Sequence, residues 1–191
     1  MDTKTDIISE VCHAISANRQ TEAVDLLTRR YPFAAAAPTL RRYRPAQATA
    51  VFRRDGFVDR YSGAKLVFPP VLRVISSTLP AEFPFHANWK TDQCHPAYWE
   101  IGATVDHLIP VTRGGADSAE NWVTTSMARN SAKMNWTVEE LGWTLHEPGR
   151  LQDWDGLLGW FMEFVEERPA LRRIKIIDAW HRAARLDSTA P

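Results

Sequence analysis

The segment Thr104–Trp136, TVDHLIPVTRGGADSAENWVTTSMARNSAKMNW, constrains the fold of this chain more than any other. Within it, Ala103–His107 is a short apolar stretch that favours a β-strand, and Pro110 follows, a residue that cannot donate to a β-ladder. The pair Gly114-Gly115 supplies the positive-φ geometry of a turn. The stretch Trp122–Thr125, which contains the β-branched run Val123-Thr124-Thr125, then favours a second strand.

A helix is predicted directly after the second strand. Ser126 is a good N-cap, and Met127–Met134 follows it with helix-compatible residues. Asn130 and Lys133 are i,i+3 neighbours, so they share one face of that helix. The order strand, long loop, strand, helix predicts a compact ββα unit on which a histidine, a carboxylate and an amide converge.

The spacing of the chemical residues in this unit is specific. The pattern is D-H-x-x-P, then G-G, then N, then N-x-x-K, and it resembles the HNH endonucleases of the ββα-metal nuclease superfamily. It is formed by Asp106, His107, Pro110, Gly114, Gly115, Asn121, Asn130 and Lys133. With roughly one chance in twenty at each position, eight matches in register are not expected by accident. Phe52–Phe57, FRRDGF, also resembles the lead-in to HNH domains.

The resemblance implies phosphodiester hydrolysis, in which a water is deprotonated and the departing 3′-oxygen must have its charge neutralised. His107 is the expected general base, since a neutral imidazole suits that task at neutral pH. Asp106 and Asn130 are expected to hold one Mg²⁺ or Mn²⁺ ion through oxygen ligands. Adjacent strand residues point to opposite faces, so Asp106 and His107 can straddle a phosphate only where the strand ends or twists. The alternative for this pair is a strand-end turn without a metal.

Further roles come from the same resemblance. Asn121 is expected to support catalysis by fixing the loop and the orientation of the base. Lys133 is expected to touch a substrate phosphate, and Arg113 and Arg129 are further candidates for substrate binding. The alternative for Lys133 is an ordinary exposed lysine.

Many HNH proteins carry a zinc ribbon made of two C-x-x-C pairs, and this chain departs from that pattern. The corresponding positions are Asp59 and Ser62, then Ser126 and Arg129, so no thiolate remains. A structural zinc site needs four N or S ligands, and we therefore predict that there is no structural zinc. The aromatic-rich insert 66–99 is expected to supply packing instead. A second metal site at His86, Cys94 and His95 is a weak alternative because the spacing is irregular.

Composition excludes several classes of protein. The chain has 191 residues, is 45% hydrophobic and contains eight Trp, which favours a folded domain over disorder. No apolar run approaches the roughly 18 residues of a membrane span. The acidic N-terminus MDTKTDIISE does not resemble a signal peptide. Two cysteines fit a reducing compartment, and the expected location is the cytoplasm.

Charge is unevenly distributed although the formal net charge is zero. Basic residues predominate between positions 41 and 75: Arg41, Arg42, Arg44, Arg53, Arg54, Arg60, Lys65 and Arg73. This segment could follow a phosphate backbone. It could equally be the solvated face of a helix.

The predicted fold class is α+β, with a small ββα core surrounded by a helical majority. We predict an N-terminal helical region at 1–44, an HNH nuclease domain at 45–145 and C-terminal helices at 146–191 that pack on the core. The predicted helices are Asp6–Ala17, Glu22–Arg30, Arg44–Arg54, a short one from Thr137 to about Gly142, Leu151–Glu167 and Ala170–Arg185. Ala34–Pro38 is predicted to be a linker.

The sequence therefore predicts a metal-dependent HNH endonuclease that cuts DNA and leaves 5′-phosphate and 3′-hydroxyl ends. DNA is the expected partner, a membrane is not, and a homodimer is an option, with the C-terminal third as a candidate dimer surface. Two alternatives stay open. One is a catalytically inactive DNA-binding module of the same fold, and the other is a nuclease toxin.

Overall fold

The computed structural model describes residues 3–33 and 44–186. Backbone contacts divide the chain into two units, Met1–Pro38 and Thr39–Pro191. The predicted linker Ala34–Pro38 lies outside the described residues. No helix in the described part of the chain combines the length and the apolar character that crossing a bilayer requires.

The N-terminal unit is a pair of helices, α1 (Lys4–Ser16) and α2 (Gln20–Arg30). Thr3 caps α1 through a capping box, in which Asp6 N donates to Thr3 Oγ1 at 3.2 Å and Thr3 N donates to Asp6 Oδ2 at 2.8 Å. Both helices are predicted from the sequence. Helix α2 begins at Gln20, two residues before the predicted start at Glu22, and its N-cap residue Arg19 makes no side-chain capping bond.

The second unit contains the remaining elements. In chain order they are α3 (Pro45–Arg54), α4 (Pro69–Thr78), α5 (Ala97–Glu100), β1 (Ala103–His107), a 3₁₀ turn (Val111–Arg113), β2 (Trp122–Ser126), α6 (Met127–Lys133), α7 (Leu158–Glu167), a second 3₁₀ helix (Pro169–Arg173) and α8 (Lys175–Leu186). The described residues therefore form a mostly helical α+β protein with one two-stranded sheet. This confirms the predicted fold class.

The two strands pair antiparallel, with a register that runs from Ala103 opposite Ser126 to His107 opposite Trp122. Ser126 ends β2 and also caps α6, since its hydroxyl accepts from Arg129 N at 3.2 Å. The strand, strand and helix predicted from the sequence are all present. The hairpin therefore places the first motif residues, Asp106 and His107 of β1, next to α6, which carries Asn130 and Lys133.

Aromatic rings form the centre of the core. Phe68 lies edge-on to Phe161 and to Trp180, with ring centroids 5.4 Å apart in each pair, and 6.0 Å from Phe57. Phe52 of α3 completes the group, 5.9 Å from Phe57. Edge-to-face pairs of this kind add to the stability gained from area burial alone. The C-terminal helices thus pack around side chains that precede β1.

Helix α4 was not predicted, because the insert 66–99 shows aromatic residues and no clear helical period. Pro69 and Pro70 occupy its first turn, where a missing N–H breaks no hydrogen bond. Val71, Leu72 and Val74 are buried against the core. The insert therefore supplies packing through a helix as well as through its rings.

Three C-terminal predictions need correction. The capping box at Thr137 forms, with Glu140 N donating to Thr137 Oγ1 at 3.3 Å, but the segment remains a turn because it is too short to offset helix nucleation. Helix α7 begins at Leu158, not Leu151, because Gly156 and Leu157 adopt positive φ. The last helix is split, with a 3₁₀ helix at Pro169–Arg173 before α8.

The buried carboxylate of Asp59 joins the turn in which it lies to the end of strand β2. Asp59 Oδ1 accepts from Tyr61 N at 2.9 Å and from Thr125 Oγ1 at 3.1 Å, and Asp59 Oδ2 accepts from Ser126 N at 3.0 Å. Asp59 and Ser126 are two of the four positions compared with zinc-binding cysteines. Charge-assisted hydrogen bonds therefore hold the β2–α6 junction to the turn at Asp59.

Substituting Asp59→Ala should lower the free energy of unfolding by about 3 kcal/mol, because three buried donors lose a charged acceptor. Chemical denaturation measures the change. Ser62→Ala is the matched control, since it removes another of the four compared positions but only one 3.4 Å contact. EDTA should leave the unfolding midpoints of the wild-type protein and of the Asp59→Ala variant unchanged. A midpoint that falls with EDTA would indicate a structural metal.

His181 of α8 is a buried histidine whose two ring nitrogens have no hydrogen-bond partner among the described residues. Loss of solvation lowers its pKa from the ordinary value of 6.5, and the neighbouring Arg172 and Arg185 lower it further, while Glu166 and Asp178 act in the opposite direction. Its Nε2 lies 3.8 Å from Glu166 Oε1. The unfolded chain therefore binds this proton more readily than the folded chain.

Stability should consequently be fully present above the unfolded pKa of 6.5 and decline as pH falls below it. Between about pH 7 and about pH 5, the melting temperature of the wild-type protein should fall more steeply than that of a His181→Leu variant. His13→Gln, on an exposed position of α1, is the control. Parallel curves for wild type and His181→Leu would contradict this role.

Candidate active site

Asp106 and Lys133 form a buried ion pair between β1 and α6. Lys133 is 0% exposed, and its Nζ lies 3.0 Å from Asp106 Oδ2 and donates to His107 O at 2.6 Å. Tyr61 OH donates to the same Asp106 oxygen at 2.7 Å. Burial and the adjacent Asp106 charge raise the pKa of Tyr61, so it remains a neutral donor. A protein cation thus already faces the predicted metal-binding carboxylate.

His107 lies at the end of β1. It is 1% exposed, and its imidazole contacts polar side-chain atoms of Asp117 and Trp122. Its Nε2 is 2.8 Å from Asp117 Oδ1. Trp122, its cross-strand partner, donates from Nε1 to Asp117 Oδ1 at 3.0 Å and lies 3.1 Å from His107 Nε2. Asp117 itself is 46% exposed in its side chain. A carboxylate that faces an imidazole can orient the ring and stabilise its protonated form.

Asn121 holds the loop that follows β1. Its Oδ1 accepts from Ile109 N at 2.9 Å, and its Nδ2 donates to Ile109 O at 2.9 Å and to Ala116 O at 2.8 Å. Gly115 packs so closely that an added Cβ would lie 1.9 Å from Ile109 O. These contacts restrain the segment between His107 and Asp117, as the predicted supporting role requires.

Asn130 of α6 is half-buried and faces β1, donating from Nδ2 to Val105 O at 3.4 Å. Within the described residues, no cluster of three or more His, Cys, Asp and Glu side chains could hold a metal. Mg²⁺ needs few protein ligands, since water and substrate phosphates complete its shell. Asp106 and Asn130 supply the ligand types that Mg²⁺ uses, one carboxylate and one amide oxygen. An ion at Asp106 would compete with the ammonium of Lys133 for the same carboxylate.

The three residues predicted to contact a phosphate, Lys133, Arg113 and Arg129, differ in exposure and in their partners. Lys133 is sealed inside the protein, which does not fit the predicted contact with a phosphate. Arg113 pairs with Glu140 and donates to Asn135 O at 3.3 Å, and the bond to Glu140 raises its pKa. Arg129 is exposed, with its guanidinium 5.3 Å from the centre of the Trp143 ring. Of the three predicted cations, Arg129 is the one on the exposed surface of α6.

Arg54 and Arg60 of the basic segment before the motif are used inside the fold, while Arg41 and Arg42 lie outside the described residues. Arg54 donates to Trp122 O at 2.6 Å and Arg60 to His146 O at 2.5 Å, and both contact the buried Asp55. Asp55 Oδ2 in turn accepts from Thr124 N at 2.7 Å. Arg54 contacts strand β2 directly, and both arginines contact it through Asp55. Neither Arg54 nor Arg60 is therefore a simple solvated side chain, and a phosphate-binding role for the rest of the segment stays a prediction.

Comparison of the chain with protein-family models, curated proteins and solved structures finds no match in any of the three. The functional assignment therefore depends on the residues of the site themselves. Two of its members, Tyr61 and Asp117, were not predicted. Tyr61 lies outside the motif, and Asp117 has no fixed spacing signal, although both lie within hydrogen-bond distance of predicted residues.

Replacing Lys133 with Met should lower the free energy of unfolding by about 3 kcal/mol, because Asp106 would be left as a buried, unpaired charge. Mg²⁺ should raise the melting temperature of this variant more than that of wild type, since the ion can compensate the carboxylate. Arg129→Met, on the exposed face of the same helix, is the control. Equal stability of the two variants would contradict the buried ion pair.

Proposed function

We propose that this protein is a metal-dependent HNH endonuclease that hydrolyses DNA phosphodiester bonds. The observation that carries the proposal is the meeting of Asp106, His107 and Asn130 at one β1–α6 junction. Asp106 and His107 end the strand, and Asn130 contacts that strand one residue earlier, at Val105 O. This is the arrangement expected of a ββα nuclease, and it supports the assignment.

His107 acts as the general base in this proposal. In the tautomer that donates Nε2–H to Asp117, Nδ1 is the nitrogen that takes a proton from the attacking water. Asp117 then stabilises the imidazolium, and Trp122 fixes the Asp117 carboxylate by donating to it. Asn121 keeps the intervening loop in place through Ile109 and Ala116. The base is therefore oriented by residues of its own loop and partner strand.

Asp106 and Asn130 are the residues that would hold the divalent cation. A Mg²⁺ or Mn²⁺ ion there supplies positive charge that neutralises the departing 3′-oxygen. Tyr61 orients the Asp106 carboxylate by donating to Oδ2. Arg129, and Arg113 where its pair with Glu140 opens, would contact the DNA backbone. The products would carry 5′-phosphate and 3′-hydroxyl ends.

A second candidate is a DNA-binding module of the same fold that does not cut. The ion pair between Lys133 and Asp106 favours it, because the ammonium group already contacts the carboxylate that a catalytic metal would need. The burial of His107 points the same way. The intact set Asp106, His107 and Asn130 favours the enzyme.

A plasmid assay separates the two candidates. Supercoiled DNA is incubated with the purified protein in Mg²⁺ and in EDTA, and conversion to nicked or linear DNA is followed by gel electrophoresis. Wild type should cut only with the metal. His107→Ala should slow cutting by at least about 100-fold, and Asp106→Ala or Asn130→Ala should abolish it.

His146→Ala is the control, since this histidine lies outside the site and should cut at the wild-type rate. Circular dichroism checks that each variant folds. Equal cutting by wild type and His107→Ala would point to a contaminating nuclease. DNA binding without cutting by the wild-type protein would support the second candidate.

Cytoplasmic location belongs to the same proposal. It is supported by the two cysteines, Cys12 and Cys94, which are both free thiols. DNA is the proposed partner.

A further inference from the structure

A cavity of about 250 Å³ lies in the second unit, where the aromatic core meets the insert 66–99. Much of its wall is formed by five aromatic rings: Phe52, Phe85, Trp89, Tyr98 and Trp180. Trp89 is 37% exposed, so the cavity lies within reach of solvent. Protein interiors contain few spaces larger than a water molecule, and an engineered apolar cavity of about 150 Å³ already holds benzene. This cavity therefore has room for a small ligand with an aromatic ring.

Among the described residues that line the cavity, Arg73 of α4 alone carries a charge. Its guanidinium carbon lies 3.4 Å from the centre of the Phe85 ring. Its Nε is buried and has no hydrogen-bond partner in the described part of the chain, where no carboxylate pairs with it either. Charges withdrawn from water are normally paired. A ligand that brings an anion into the cavity would supply the missing partner.

The other polar group beside Arg73 is already used within the protein. The Tyr98 hydroxyl lies 2.5 Å from Ser76 Oγ and donates to Leu72 O at 2.9 Å. Burial raises the pKa of Tyr98, and the nearby charge of Arg73 acts in the opposite direction, which places that charge next to the hydroxyl at the cavity wall. A ligand therefore meets one strong polar partner, Arg73, and mostly apolar surface elsewhere. Such a combination fixes the orientation of a bound molecule.

We propose that this cavity binds a small planar aromatic carboxylate, whose ring lies against the aromatic wall and whose carboxylate pairs with Arg73. A guanidinium matches a carboxylate through two parallel N–H···O bonds. One cation balances one carboxylate, whereas a phosphate monoester carries nearly two negative charges at pH 7. A nucleotide would also need room for its sugar. The proposal is independent of the nuclease assignment, because the cavity uses none of the residues assigned to that function.

Isothermal titration calorimetry on the full chain tests the proposal with three probes. 2-Naphthoate has two fused rings and a carboxylate, 2-naphthylmethanol has the same rings without the charge, and acetate has the charge without the rings. 2-Naphthoate should bind with a dissociation constant below about 100 µM. 2-Naphthylmethanol should bind at least about tenfold more weakly, because it lacks a charge-assisted hydrogen bond. Acetate should not bind at about 10 mM, because it buries too little apolar surface.

Arg73→Met removes the charge and keeps an unbranched side chain. It should weaken the binding of 2-naphthoate about tenfold and leave that of 2-naphthylmethanol unchanged, since only the carboxylate uses the guanidinium. Arg168→Met is the matched control. Arg168 also stacks on a ring, 3.9 Å from the centre of Phe164, but does not line the cavity. This variant should bind both probes like wild type.

Two further variants change the apolar wall. Ala48→Leu enlarges a buried side chain of α3 that lines the cavity and should abolish the binding of both naphthyl probes. Trp89→Ala removes a ring near the surface and should weaken both probes at least about tenfold. Circular dichroism and thermal unfolding show whether each variant is folded. Because Trp89 is partly exposed, its substitution provides the test of the wall even if Ala48→Leu does not fold.

Four results would overturn the proposal. One is the absence of 2-naphthoate binding by wild type at about 1 mM. Another is equal affinity for 2-naphthoate and 2-naphthylmethanol. The third is 2-naphthoate binding that Arg73→Met and Arg168→Met weaken equally, or that neither changes. The fourth is tighter binding of adenosine monophosphate than of 2-naphthoate, which would make the ligand a nucleotide.

Discussion

The ammonium group of Lys133 is the interaction on which the end of strand β1 depends. It lies between the carboxylate of Asp106 and the carbonyl of His107, and Tyr61 donates to the same Asp106 oxygen that Lys133 contacts. A buried charge of this kind is tolerated only when it is paired and hydrogen-bonded. The pair therefore fixes α6 against β1, and with it the separation of Asp106 from Asn130. The candidate metal ligands Asp106 and Asn130 are therefore positioned by a lysine that is itself fully buried.

Buried, hydrogen-bonded charges also hold strand β2 to the chain segment that precedes the sheet. Asp55 and Asp59 are buried carboxylates, each satisfied by backbone N–H groups of β2 and by neighbouring side chains. Arg54 and Arg60 neutralise Asp55 and also donate to main-chain carbonyls. Oxygen acceptors and guanidinium donors thus connect the chain before the sheet to strand β2. Among the described residues, the charges of Arg54 and Arg60 are used in these contacts.

The sequence predicts the hairpin and α6 well because their signals are local. Serine is a preferred N-cap residue, and β-branched residues are enriched in strands. Whether a helix face is solvated or packed is a tertiary property. The i,i+3 spacing places Lys133 beside Asn130, but nothing local indicates that Lys133 turns inward to meet Asp106. Helix α4 was missed for a related reason, since its apolar residues are nearly continuous and show no single helical period.

The catalytic proposal requires that Asp106 and Asn130 share a cation and that Lys133 gives up its contact with the coordinated Asp106 oxygen while the protein stays folded. Anomalous diffraction from crystals soaked with Mn²⁺ measures this directly, because the ion is located without reference to activity. The account predicts one peak at about 2.2 Å from an oxygen of Asp106 and from the Asn130 side-chain oxygen, with Lys133 displaced from the coordinated oxygen. A peak elsewhere, or Lys133 unmoved against Asp106 with no peak between the two residues, would contradict it.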